Sequence, residues 1–115
     1  MSPESVSISF TLEFKRNLRA LAKKYRSIRS DVQPLIERLQ SGDLPGDQVP
    51  GVTLTIFKVR LQNSDIHKGK RSGYRCIYYL QTASDIILVT IYSKTEQADV
   101  SAARLRSILQ EMGLW

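Results

Sequence analysis

The sequence predicts a small α+β fold, with two N-terminal helices and one C-terminal helix packed on an antiparallel sheet. Two observations carry that prediction. Apolar residues recur at helical spacing between residues 11 and 41 and again after residue 100, whereas between residues 54 and 94 the period falls to two. A chain of 115 residues can bury one core and is too short for two ordinary ones, so one domain over residues 1–115 is expected.

Ser5 to Ser9 alternate polar and apolar residues, which predicts a short first strand. From Thr11 the period lengthens: Phe14, Leu18, Leu21 and Tyr25 share one helical face, and Lys15, Arg16, Arg19, Lys23 and Lys24 lie outside it. Ser30 and Gln33 have capping-box spacing and Pro34 suits a first turn, so a second helix is expected to begin there. Its stripe is Val32, Leu35, Ile36 and Leu39, and Gly42 is its stop. Pro45-Gly46 and Pro50-Gly51 mark a loop.

Beyond the loop, Phe57, Val59 and Leu61 alternate with Lys58, Arg60 and Gln62, giving a strand with one apolar and one cationic face. Residues 63–73 form a long basic hairpin loop. Tyr74 to Gln81 and Ile86 to Tyr92 complete a three-stranded meander about a turn at Thr82 to Asp85. Asp99 or Ser101 can cap a closing helix whose apolar face is Leu105, Ile108, Leu109 and Met112.

At 42% hydrophobic and 24% charged residues the composition is globular, neither disordered nor fibrous. The net charge is +6, and residues 54–94 hold +5 of it. Such a local excess favours phosphate-rich partners. Cys76 is the only cysteine and His67 the only histidine, which excludes a disulfide and a cysteine-based metal centre; no cofactor or metal is expected. The opening residues lack the pattern of a signal peptide, and the longest aliphatic run, Ile86 to Val89, is far too short to span a bilayer. A cytoplasmic protein without membrane contact is expected.

Lys58 and Arg60, two apart on a strand, lie on one face at about 7 Å from each other. Arg75 on the neighbouring strand can project to the same side, Lys94 arrives from the end of the next strand, and Lys68, Lys70 and Arg71 overhang from the loop. The plainer alternative is a solvated sheet face. Glu96 either favours the start of the closing helix or, as the acid nearest Lys94 in sequence, serves the cations. His67 reads as surface, Cys76 as core, and Tyr74, Tyr78 and Tyr79 as sheet packing rather than base-stacking platforms.

The stretch FKVRLQNSDIHKGKRSGYRCIYYL followed by IILVTIYSKTEQADVS resembles the RelE/ParE superfamily of bacterial type II toxins, above all its RelE-like and HigB-like branches. The most specific signatures are a K-x-R strand before GYR-x-IYY and a strand ending in SK-x-E. The resemblance covers most of the chain. It implies a compact α+β toxin that enters the ribosomal A site and cuts messenger RNA, held in check by a cognate antitoxin protein. It matches Lys58, Arg60 and Arg75 to catalytic cations. With that chemistry, Arg60 and Arg75 would hold the scissile phosphate, Lys58 would stabilise charge, Lys94 could exchange protons, and Glu96 would be the base for the RNA 2′-hydroxyl. Lys68, Lys70 and Arg71 would hold ribosomal or messenger RNA backbone.

The chain departs from RelE-like relatives at Thr95 and Ser101, where they often carry arginine and tyrosine. Two other readings stay open: a ParE-like gyrase inhibitor and a catalytically silent RNA-binding protein.

Overall fold

The computed structural model describes residues 6–66, 72–97 and 99–115. Along them run β1 (Ser7–Phe10), α1 (Leu12–Lys24), α2 (Ile28–Gln40), β2 (Asp47–Gln48), β3 (Ile56–Leu61), β4 (Tyr74–Thr82), β5 (Asp85–Ser93) and α3 (Ala102–Glu111). Ser5, His67 and the loop cations Lys68, Lys70 and Arg71 lie outside the described residues. The α+β class and the expected helices and meander are present. The five strands form one sheet in the order β1-β5-β4-β3-β2. β1 joins β5 in parallel while the other pairs are antiparallel, so the sheet is mixed.

The start of α1 is fixed to the sheet by one side chain. The buried Thr11 hydroxyl accepts the Phe14 N–H at 2.9 Å and donates to the Val89 carbonyl at 2.6 Å, so the cap is also a tether to β5. Glu13 in the first turn and Lys23 and Lys24 in the last suit the helix dipole.

α2 begins at Ile28, ahead of the Ser30–Gln33 pair expected to cap it, and Pro34 lies inside the helix rather than in its first turn. The reason is tertiary. Asp65, from the connection after β3, accepts the Ser27 N–H at 2.9 Å, and Asp31 accepts the Ser64 N–H at 3.0 Å in return. These bonds, with burial of Ile28 and Val32, extend the helix backwards by a turn. The proline removes the bond to the Ser30 carbonyl, and Ser30 is exposed to water. At the other end Gly42, with φ of 92°, allows the Gly42 N–H to reach the Leu39 carbonyl and the Asp43 N–H to reach the Arg38 carbonyl.

The two faces of the sheet are covered unequally. α1 and α2 bury one face around Phe14, Ile28, Leu35, Leu39, Tyr74 and Tyr78. On the other face α3 places Leu105, Ile108 and Leu109 against Ile77, Val89 and Tyr92. Ser101, not Asp99, caps α3, accepting the Arg104 N–H at 3.1 Å. Met112, expected on the apolar face, is the C-cap residue and is 44% exposed. On β3 this second face changes character along the strand: Ile56 is fully buried in the second core, whereas Lys58 is half-buried and Arg60 exposed. No helix among the described residues is long and apolar enough to cross a membrane.

Candidate functional site

The strand register decides which side chains meet. Arg60 lies opposite Arg75, Lys58 opposite Ile77, and Arg75 opposite Tyr92. Directly opposed residues in a ladder share a face. Lys58, Arg60, Arg75 and Tyr92 therefore belong to one face, the one that does not carry α1 and α2.

A groove of about 530 Å³ takes in these cations, lined by Lys58, Arg60, Arg75 and Lys94 together with Val59, Arg38 and the Pro45-Gly46-Asp47 segment. Four of the cations that the sequence pointed to thus line one concavity. Lys94 is held there by its backbone, whose N–H donates to the Gly73 carbonyl at 2.9 Å. Arg38 enters from α2, where it is ion-paired with Asp43 at 2.7 Å; its membership could not be read from strand periodicity. Asp47 sits across from Lys58 through the two-residue β2, a strand within the stretch expected to be loop.

Arg75 is the interior member of the cluster, only 6% exposed. Its burial, and then the charge of Arg60, push its pKa below the ordinary arginine value, with Tyr92 opposing. One of its Nη atoms donates to the Tyr74 carbonyl at 3.2 Å. Two guanidinium groups on facing positions repel in the absence of an anion, so the site is electrostatically complementary to one.

Asp47 is the acid that lines the groove, and a second acid, Asp99, is joined to it through Lys58. Asp99 Oδ1 receives Lys58 Nζ at 3.2 Å, the Tyr92 hydroxyl at 3.2 Å and the Val100 N–H at 2.8 Å. The Val100 N–H above all holds the carboxyl below its ordinary pKa; partial burial opposes it, and the Lys58 ammonium and the Tyr92 hydroxyl add to the lowering. Burial, reinforced by Asp99, pushes the Tyr92 phenol up to about 12, so it remains a donor. From sequence alone Asp99 is a possible helix cap and Tyr92 carries no role. The one available signal was the ladder itself, which puts Tyr92 beside Arg75 once the meander is paired.

Glu96 is not part of the groove. Its carboxylate accepts Lys24 Nζ at 3.3 Å and the Tyr25 hydroxyl at 3.1 Å, at the C-terminal end of α1. It lines a separate small cleft with Asn17, Leu21 and Ile91. Its expected turn toward the cationic face does not occur, because α1 supplies both a cation and a hydroxyl on the other side.

Tyr74 and Tyr78 are fully buried toward the helices and Tyr79 packs against the second core, so none of the three lines the groove. Thr95 shares a hydrogen bond with Ser93 at 2.9 Å, while the Ser101 hydroxyl is spent on the α3 cap.

No protein-family model matches the sequence. Among solved structures, the chain is similar to the free E. coli toxin RelE bearing two arginine-to-alanine changes, with a TM-score of 0.56 and 16% identity. The match covers 95% of this chain and 98% of that one. The fold is therefore that of the RelE toxin.

Proposed function

We propose that the chain is the toxin of a type II toxin–antitoxin pair, an endoribonuclease that cuts messenger RNA in the ribosomal A site and so inhibits translation. The observation that carries this reading is the convergence of Lys58, Arg60, Arg75 and Lys94 in one groove on a RelE-like fold. A solvated sheet face would scatter its cations. Here a nearly buried arginine stands directly opposite another one, an arrangement that favours an anion between them.

RNA brings its own nucleophile. The 2′-oxygen attacks the adjacent phosphorus in line, the bond to the 5′-oxygen breaks, and a 2′,3′-cyclic phosphate remains. Arg60 and Arg75 receive the non-bridging oxygens in their planar forks, and Lys58 neutralises the charge that grows on them. Lys94 donates the proton that the departing 5′-oxygen takes up. Because Lys58, Arg60 and Arg75 stand on paired strands, little reorganisation of them accompanies the reaction. Lys68, Lys70 and Arg71 contribute contacts to RNA backbone, and an antitoxin protein masks the basic surface between rounds of activity.

Induction in bacterial cells, with growth arrest scored and messenger ends mapped, tests the reading. Cleavage within codons, lost in Lys58→Ala, Arg60→Ala and Arg75→Ala, is expected. Intact messages beside inhibited DNA supercoiling would instead identify a gyrase inhibitor, and full activity in all three variants would refute the site.

A further inference from the structure

With Glu96 engaged by α1, the reaction above lacks an acceptor for the proton of the 2′-hydroxyl. We propose that Asp99 is that acceptor, an inference that rests on the nuclease reading. Three donors converge on Oδ1 alone: Lys58 Nζ, the Tyr92 hydroxyl and the Val100 N–H. They fix the carboxylate with one oxygen saturated. Among the described residues nothing donates to Oδ2, and the side chain is 61% exposed.

Lys58 couples this carboxylate to the cationic cluster. Its ammonium lines the groove and simultaneously holds Asp99, so a phosphate held at Lys58 lies next to the open oxygen. The 2′-hydroxyl of an RNA strand is on the sugar directly attached to that phosphate. As the O2′–P bond forms and the P–O5′ bond breaks, the 2′-proton passes to Oδ2 and a proton from Lys94 passes to O5′. Charge is conserved, and both side chains return to their starting states by exchange with water. Tyr92, a donor to the same carboxylate and 5% exposed, serves as a positioning residue that keeps Oδ1 turned inward.

The test compares wild type with Asp99→Asn and Asp99→Ser. Both variants retain an acceptor for the Val100 N–H, so a structural loss in one does not decide the matter. Cleavage of a defined messenger on programmed ribosomes is measured beside binding to the same complex carrying 2′-deoxy sugars in the A-site codon. The expected result is cleavage slowed by about 100-fold or more with undiminished binding of the deoxy complex.

Wild-type cleavage rates in either variant would overturn the assignment and leave the nuclease reading standing. Slow cleavage caused by weakened binding would make Asp99 a docking residue instead, and unfolding of both variants would make it structural. A wild-type protein that cleaves no RNA would remove both the inference and the reading beneath it.

Discussion

Arg60 and Arg75 face each other across the β3–β4 ladder, and the second is almost wholly shielded from water. Like charges in directly opposed positions destabilise a sheet. Arg60→Ala should therefore raise thermal stability at low salt, by about 0.2–1 kcal/mol, while abolishing cleavage. Added polyphosphate should stabilise wild type more than the variant, because an anion relieves the same repulsion. Equal stabilisation of the two proteins in thermal denaturation would contradict this account.

Asp99 sets an acid limit. Its folded-state pKa lies below the ordinary 3.8, so its contribution to stability is complete above that value and vanishes as pH falls through the lowered folded value. Acid denaturation followed by circular dichroism should show a shallower loss in this range for Asp99→Asn than for wild type.

Alkali acts through the buried phenols. Tyr92 is pushed from the ordinary 10.0 to about 12, and burial raises Tyr74 and Tyr78 further. The folded state then retains protons that the unfolded state releases, and stability declines from pH 10 upward. Tyr92→Phe should remove its share of that decline, read as a smaller drop in melting temperature across this range.

Glu96→Gln should cleave RNA at the wild-type rate. The carboxylate meets Lys24 and Tyr25, and its loss removes an exposed ion pair contributing roughly 0–1 kcal/mol. A large fall in cleavage without loss of fold would return Glu96 to the chemistry.

Two glycines separate strain from site geometry. Gly46 has φ of 94°, and a Cβ there would meet the Lys58 carbonyl and lie 2.9 Å from Val59 Cβ. Gly46→Ala should cost about 1–3 kcal/mol and displace Lys58, so cleavage falls although no charge is lost. Gly42, with φ of 92° and open space around it, should tolerate alanine with a stability cost alone.

The local pattern contained most of the framework. Lys58 and Arg60 fall on one face because strand periodicity is two, and a tight turn at Thr82 to Asp85 then brings Arg75 and the end of β5 into line. What was missed depends on contacts distant in sequence. The start of α2 is fixed by Asp65, beyond β3, and no spacing within the helix encodes it. β2 has only Asp47 and Gln48, neither a strand former, and exists through pairing with β3. Asp99 reaches Lys58 across 41 positions, whereas Glu96, nearer Lys94 in sequence, was drawn away by α1.

The parallel pairing of Ser7 with Asp85 joins chain segments that lie far apart in the 115-residue sequence. Closing that ladder demands a large loss of chain freedom before any return, which slows folding. A growing polypeptide that has not yet emitted β5 lacks the central platform on which Thr11 anchors α1. The α1 anchor consequently forms late in synthesis, once β5 is available to receive Thr11.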